Sequence, residues 1–217
     1  MARNRFTAIS RCIRFDDAAA HRRTKSTDKL APIRDIFEFW VKSFQDCYIP
    51  NENVTVDEQL VTFRGRCPFR QFIFSKPGKY GIKILSLCDS MTSYVYNMQV
   101  YIEREEGQNR EVNQGQRVVL DLVSGLEKSE KNVTCDNFFT SISLARELAK
   151  RQMTVLGTIR KNKKELPTKL TETRGSQENT SIFAFQDSAT LVSYCVQNGV
   201  DIFRKQTGVN VDPSGIG

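Results

Sequence analysis

Two aspartates stand where an apolar strand-like pattern gives way to polar residues, and this placement could support metal chemistry. Asp57 follows residues 54–56, and Asp136 follows residues 132–135. A carboxylate beside an apolar strand is costly to desolvate unless a positive charge balances it. Two such carboxylates repel each other unless a divalent cation lies between them, as in metal-assisted phosphoryl transfer. The simpler alternative is that each aspartate is a turn or N-cap residue that accepts bonds from nearby backbone N–H groups.

The elements that must position these aspartates follow from the hydrophobic periodicity. A two-residue period predicts three antiparallel strands, and the following segments predict helix, strand, helix and strand. The predicted ranges are strands 55–64, 80–88 and 94–102, helix 117–126, strand 132–135, helix 141–151 and strand 153–159. This order is typical of an α/β fold with a ribonuclease-H-like mixed sheet. Its first and fourth strands lie side by side, so we expect the Asp57 and Asp136 carboxylates within about 4–8 Å of each other.

The flanking segments have weaker patterns. Residues 3–15 have helical spacing, and Pro32 opens an amphipathic helix whose stripe includes Ile33 and Trp40. We expect this stripe to be part of the hydrophobic core. Two further strands are predicted at 181–185 and 190–195, and residues 206–217, rich in Gly, Pro and Ser, are predicted to be a frayed end.

Positive charge is concentrated near both aspartates. The chain has a net charge of +7, which suits a polyanionic partner without requiring one. The predicted DNA-contacting residues are Arg64, Arg66, Arg70, Lys76 and Lys79 after the first aspartate, and Arg160, Lys161 and Lys163 after the second. Such residues could bind phosphates and position a duplex without reading its sequence. Alternatively, each cluster is a solvated face.

Cysteine and histidine usage argues against a zinc site. The six cysteines contain no CxxC pair, and His21 is the one histidine of the chain. The sequence has neither the apolar region of a signal peptide nor an apolar run that could span a bilayer, so we expect an intracellular protein with reduced thiols and no membrane partner.

Longer stretches around both aspartates resemble the piggyBac family of transposases. The segment 54–80 reads VTVDEQLVTFRGRCPFRQFIFSKPGKY, the segment 132–144 reads NVTCDNFFTSISL, and the segment 157–163 reads GTIRKNK. Residues 3–17 are also similar to the run that precedes the catalytic core in this family. The resemblance spans residues 3–194 with its motifs in the same order, which indicates common ancestry.

The resemblance implies a function and a domain organisation. Asp57 and Asp136 would bind Mg²⁺ or Mn²⁺ in a two-metal site that cleaves and transfers double-stranded DNA, with the ions about 4 Å apart. The expected partners are transposon ends and a TTAA-type target, with a hairpin intermediate, a possible homodimer and a nuclear location. The implied organisation is a helical segment (1–50), a catalytic core with two of three acids (51–164), the start of an insertion (165–195) and a divergent, disordered tail (196–217).

The chain departs from the family pattern at the third catalytic acid, which lies in a GGVD-like motif. Residues 198–201 read NGVD, so Asp201 is the one candidate, but it follows the predicted 190–195 strand far more closely than the family pattern requires. The cysteine-rich zinc module of the family is also not found. We therefore expect these 217 residues to be inactive in DNA excision and integration. The alternatives are a non-catalytic, domesticated DNA-binding protein and a protein-interaction module derived from a transposable element, so whether the chain is an enzyme stays open.

Overall fold

The computed structural model contains two compact units. One comprises residues 1–48, 60–84 and 100–108, and the other comprises residues 49–59, 85–99 and 109–217. Residues 60–84 belong to the first unit, together with the helical segment, whereas the predicted organisation assigns them to the catalytic core. The residues that the structure describes are 1–15, 17, 28–102, 111–171, 179–186 and 189–195, together with the backbone of 206–211.

The first unit combines helices with a short hairpin. Its helices are α1 (Arg3–Cys12) and α2 (Arg34–Cys47), the latter preceded by a 3-10 turn at Ala31–Ile33. The short strand β2 (Gln71–Phe72) pairs antiparallel with the start of β3 (Tyr80–Asp89), so that Phe72 lies opposite Tyr80.

The predicted burial of the α2 stripe is wrong for the described residues. No residue of α2 is buried, and Trp40 retains 48% of its exposure. The Pro at the preceding turn and the helical spacing correctly indicated where the helix begins. A periodic apolar stripe shows that a face can be buried, but burial itself requires a partner surface that lies elsewhere in the fold.

The second unit is built on a mixed sheet. Among the described residues its strand order is β3-β1-β5-β6-β9-β8-β7, and β4 pairs with β3. The strands β1, β5 and β6 are parallel to each other, whereas β9, β8 and β7 continue the sheet in antiparallel pairs. The remaining strands are β1 (Asn53–Thr62), β4 (Val95–Val100), β5 (Asn132–Cys135), β6 (Thr154–Thr158), β7 (Ser181–Gln186), β8 (Ala189–Tyr194) and β9 (Gln206–Val211).

In the part of this unit that the structure describes, three helices accompany the sheet, and the core lies between them and the parallel strands. They are α3 (Gln114–Leu122), α4 (Ile142–Lys150) and the short α5 (Thr168–Thr171). Val56 of β1, Val133 of β5 and Val155 of β6 are fully buried, as are Val118 of α3 and Leu144 of α4. The apolar residues recur with the period of each element, so each strand and helix turns one apolar side to the same interior.

The predicted elements agree with the observed ones to within a few residues, including the neighbouring β1 and β5. The exceptions are the short β2 and α5, which were not predicted, and β9, because residues 206–211 form a strand where a frayed end was predicted. The segment has a two-residue period after all, with Thr207, Val209 and Val211 at alternate positions. The predicted loop at 16–31 lies largely outside the described residues. No described helix is both long enough and apolar enough to cross a membrane.

Candidate active site

The pairing of β1 with β5 places Asp57 and Asp136 next to each other in the sheet. The last paired residues of these parallel strands are Val56 and Cys135, and each aspartate comes one residue later. Paired strands lie about 4.8 Å apart, so the two backbones are neighbours at this position. Both aspartates are exposed, whereas the preceding Val56 and Cys135 are buried. Strand alternation therefore turns the carboxylates away from the core that fixes their backbone.

Each carboxylate is held by one local hydrogen bond. The Glu58 N–H donates to Asp57 Oδ1 at 2.7 Å, and the Phe138 N–H donates to Asp136 Oδ1 at 2.8 Å. The alternative of a local backbone hydrogen bond is therefore correct for Oδ1 of both aspartates, although only Asp136 precedes a turn, since Asp57 lies within β1. In the described part of the chain, Oδ2 of each aspartate has no hydrogen bond, so it can accept a further ligand.

The turn that carries Asp136 is anchored on both sides. The Thr140 hydroxyl donates to the Asp136 carbonyl oxygen at 2.7 Å, and the Phe139 ring beside it is buried. At Gly115, in the first turn of α3, a Cβ atom would lie 2.5 Å from the Phe138 carbonyl oxygen. Glycine therefore allows α3 to approach the turn closely, and the turn presents the Asp136 side chain from a rigid support.

An open cavity of about 690 Å³ contains both aspartates. Strands β1, β5 and β6 form one part of its lining, and β7 and β8 form the other. Most of these residues were not predicted as site residues, because a threonine or glycine in a strand carries no chemical signature of a site. The lining residues are Thr55, Val56, Asp57, Thr134, Cys135, Asp136, Leu156, Gly157, Thr158, Ser181, Val192 and Tyr194.

Two thiols near the carboxylates are held in the protonated form. Burial raises the pKa of Cys135 to about 11, where a hydrogen bond with Thr140 opposes the shift and the Asp136 charge adds to it. Burial also raises the pKa of Cys88, a hydrogen bond to Ser86 opposes this, and the charge of Asp57 contributes in the raising direction. Neutral thiols are poor metal ligands, so the carboxylates are the better candidates for a cation.

One of the predicted basic residues is fixed beside the Asp136 turn. The Arg160 Nε donates to Asn137 Oδ1 at 3.1 Å, and its guanidinium lies 5.9 Å from the centre of the Phe138 ring. Lys161 is exposed and Lys163 is partly exposed in the turn that follows. Arg160 therefore places a permanent positive charge next to Asp136, the candidate cation ligand. A phosphate at this site could bind to that charge.

The other predicted basic residues belong to the first unit. Arg64, Arg70 and Lys79 line a second cavity of about 410 Å³, together with Pro77, Gly78 and Tyr80. Arg66 is exposed and Lys76 is partly exposed in the same loop. Asp201 lies outside the described residues.

Comparison with known proteins identifies the family. A family profile described as "Transposase IS4" matches residues 1–206. The chain belongs to this family of piggyBac-type transposases. A cryo-EM structure of the piggyBac transposase synaptic complex with hairpin DNA is similar over 97% of this chain and 43% of that chain, with a TM-score of 0.85 and 39% identity. This match confirms the ribonuclease-H-like α/β fold.

Two human proteins whose names refer to piggyBac-derived sequences are similar to this chain. "PiggyBac transposable element-derived protein 3" and "Chimeric ERCC6-PGBD3 protein" are each 28% identical over 169 residues. That alignment covers 75% of this chain, but 27% of the first relative and 15% of the second. The chain thus spans about a quarter or less of the length of these two relatives.

The donor atoms of the piggyBac-type site fit a hard divalent cation, which is the general cofactor class of DDE transposases. Mg²⁺ is usually held by one or two carboxylates together with water and substrate phosphates. Asp57 Oδ2 and Asp136 Oδ2 supply this donor chemistry. Among the described residues no group of three or more Asp, Glu, His or Cys side chains could hold a metal ion. Among the described residues, the acidic pair thus offers two carboxylates, fewer than such a group of three.

Proposed function

We propose that the inherited role of this domain is the cleavage and transfer of double-stranded DNA by metal-assisted phosphoryl transfer, and that these 217 residues by themselves are inactive in excision and integration, because Asp57 and Asp136 are two of the three acids that the family pattern requires. The observation that carries the proposal is the β1–β5 register, which puts Asp57 and Asp136 side by side with one carboxylate oxygen of each unbonded in the described residues. Bound Mg²⁺ or Mn²⁺ supplies charge stabilisation at the phosphate and activation of an attacking hydroxyl. The family match and the transposase–DNA structure at 39% identity support the choice of DNA as the substrate.

The residues of the chain have separate roles in this proposal. Asp57 and Asp136 would hold the cation, and the buried strands behind them keep their backbones from moving apart. Arg160 is fixed by Asn137 and Phe138, so its guanidinium can donate to a phosphate oxygen without first losing side-chain freedom. Arg64, Arg66, Arg70, Lys76, Lys79, Lys161 and Lys163 are proposed to bind phosphates along the duplex.

The finer identity of the partners follows the family resemblance. Transposon ends, a TTAA-type target and a homodimer are part of the proposal, as is action in the nucleus. Asp201 is the one residue that the family resemblance offers as the third acid, but its spacing behind β8 is shorter than the family pattern requires, so we propose that it does not bind the cation.

Cation binding tests the acidic site directly. We expect Mn²⁺ to bind the 217-residue protein and to raise its melting temperature, since a ligand at ten times its Kd stabilises the folded state by about 1.4 kcal/mol. Asp57→Asn and Asp136→Asn should each remove both effects, as measured by calorimetric titration and thermal melting. The exposed Asp46 of α2 provides the control, because Asp46→Asn should change neither result.

The same titration decides the role of Asp201. We expect Asp201→Asn to leave Mn²⁺ affinity unchanged. A loss as large as that of Asp57→Asn would make Asp201 the third ligand. If the parent protein binds Mn²⁺ no better than Asp57→Asn and Asp136→Asn do, the acidic pair is a pair of turn residues and the proposed chemistry is wrong.

A further inference from the structure

The segment 60–84, called the 60–84 hairpin below because it contains the β2–β3 pair, carries no negative charge. Residues 60–84 contain six Lys and Arg residues and no Asp or Glu. Within the described residues, Arg64, Arg66, Arg70 and Lys79 form no ion pair with a carboxylate. Like charges repel one another in the absence of counterions. An anionic ligand would reduce the repulsion among these cations.

The hairpin also exposes flat aromatic rings beside these cations. Phe74 is 78% exposed, Phe72 is 54% exposed and Tyr80 is 49% exposed. The Phe72 and Tyr80 rings lie opposite each other across the β2–β3 pair with their centres 4.8 Å apart. Three rings left open to water on one small hairpin form an apolar surface that a ligand could cover.

The cations and the rings are in direct contact. The Arg70 guanidinium lies 5.3 Å from the centre of the Tyr80 ring, and the Lys79 ammonium lies 5.3 Å from the centre of the Phe74 ring. The Arg70 Nη1 also donates to the carbonyl oxygens of Arg64 and Gly65, each at 3.3 Å. The guanidinium is therefore held between the loop backbone and a ring, and its position is set before any ligand binds.

A backbone hydrogen bond closes the hairpin beside the second cavity. The Ile73 N–H donates to the Lys79 carbonyl oxygen at 2.8 Å, and Lys79 adopts a left-handed conformation with φ of 48°. The cavity of about 410 Å³ lined by Arg64, Arg70, Lys79 and Tyr80 falls within the size range of small-ligand sites. Positive charge and an aromatic wall thus meet in one preformed recess.

A ligand that binds to both the cations and the exposed aromatic rings must carry a phosphate and a flat ring with a free face. In a duplex, the base faces are stacked on each other, so a protein ring can stack only on an unpaired base. An acidic peptide would satisfy the charges but would leave the rings uncovered. The chemistry of the hairpin therefore favours single-stranded DNA over both a duplex and an acidic peptide.

We propose that the 60–84 hairpin binds unpaired nucleotides, with Phe72, Phe74 and Tyr80 stacking on bases while Arg64, Arg70 and Lys79 bind the flanking phosphates. This inference rests on the proposed function, since it names the DNA form that the domain holds, and it adds base contacts to residues assigned only to phosphate binding. It does not depend on the acidic pair.

Two labelled oligonucleotides separate stacking from charge. The probes are a thymidylate of about 12 nucleotides and an abasic strand of the same length, which keeps the phosphates but lacks the bases. Affinities are measured by fluorescence anisotropy with the 217-residue protein in EDTA, so that no cation contributes. We expect the thymidylate to bind about tenfold more tightly than the abasic strand.

Substitutions then assign the difference to the rings. Phe74→Leu should lower thymidylate affinity about fivefold to tenfold and leave abasic and duplex affinity unchanged, and Phe72→Leu should act in the same direction. Leucine retains apolar bulk at exposed positions, and thermal melting checks that both variants fold. Phe39→Leu is the matched control, because Phe39 is 65% exposed on α2, outside the hairpin.

Each other outcome overturns the inference. Equal affinity for both strands, or a Phe74→Leu loss that is the same for both, would reduce the hairpin to a phosphate-binding surface. Tight binding of polyglutamate with no preference for thymidylate would assign it to an acidic peptide. Absence of binding to every DNA probe would remove the site altogether. Failure of the acidic site is recognised separately, by Mn²⁺ titration of Asp57→Asn.

Discussion

At the scale of single residues, Cys135 links the hydrophobic core to the acidic pair. Its side chain is buried, its thiol lies 3.3 Å from the Thr140 hydroxyl, and the next residue is Asp136. Burial in this position raises the thiol pKa to about 11, from an ordinary value of 9.0. A thiolate here would be poorly solvated and would also repel the neighbouring carboxylate. Protonation of Cys135 is therefore a condition for the folded site.

This pKa shift predicts a loss of stability in alkali. Below about pH 9 the thiol is protonated in both states and its contribution is complete. As the pH rises towards about 11, the unfolded chain loses the proton while the folded chain keeps it, so the free energy of unfolding falls by up to about 1.4 kcal/mol per pH unit. Cys135→Ala should show a shallower decline than the parent in urea unfolding between about pH 8 and about pH 10.5.

The variant is compared by slope, because the smaller side chain lowers stability at every pH. Cys47→Ala serves as the control, since Cys47 is exposed and should leave the slope unchanged. Equal slopes for the parent and Cys135→Ala would show that the thiol titrates normally in the folded protein.

At the scale of elements, β6 approaches β5 closely beneath the acidic pair. Gly157 pairs with Cys135 across the two parallel strands and lines the cavity. A Cβ atom at Gly157 would overlap with the Thr140 hydroxyl and the Cys135 carbonyl oxygen. Thr140 in turn donates to the Asp136 carbonyl oxygen. The absence of a side chain in β6 is thus one of the conditions that set the position of Asp136.

Gly157→Ala should therefore affect both stability and the site. We expect the free energy of unfolding to fall by about 1–3 kcal/mol because of overpacking, and Mn²⁺ affinity to fall as the Asp136 turn shifts. Urea unfolding and calorimetric titration measure the two effects.

The control for this prediction is Gly125→Ala. Gly125 has φ of 89°, so alanine there is strained, but Gly125 does not line the cavity. We expect it to lower stability while leaving Mn²⁺ affinity unchanged. Should both variants lose Mn²⁺ affinity in proportion to their stability, the close approach at Gly157 would have no particular connection with the acidic pair.

At the scale of the whole molecule, the basic residues are proposed to determine how the domain binds DNA. The net charge is +7, and Arg66 and Lys161 are exposed members of the two clusters. We expect weak duplex binding that falls steeply with salt and depends little on sequence. Arg66→Glu and Lys161→Glu should each weaken binding to all duplexes about equally and should lower the slope of log affinity against log salt by about one.

The control reverses a charge outside both clusters. Arg146 is exposed on α4, and Arg146→Glu changes the net charge by the same amount as the other two variants. It should therefore reduce affinity much less if specific phosphate contacts are responsible. Three equal losses would indicate that only net charge matters, and no duplex binding at about 50 mM salt would contradict a DNA role for these residues.

Local patterns in the sequence were sufficient for most of the elements and for the place of each acid beside an apolar strand segment. The two-residue period predicted β1, β3, β5 and β6. Asp136 follows the end of β5, whereas Asp57 lies within β1, one residue after its last pair with β5. Ser141 stands before an apolar stripe of helical spacing, and its hydroxyl does cap α4 by accepting the Leu144 N–H at 3.0 Å. Side-chain alternation and capping involve residues a few positions apart, so they can be read from the chain itself.

Only the tertiary structure decided the register of β1 against β5, the contact of Arg160 with Asn137 and Phe138, the meeting of Arg70 with Tyr80, and the exposure of Trp40. Each of these depends on which distant segment packs against the residue. A shift of one residue in the register would turn a strand's side chains to the opposite face without changing its local pattern. The sequence by itself therefore determined which residues could act, whereas long-range packing decided which of them meet.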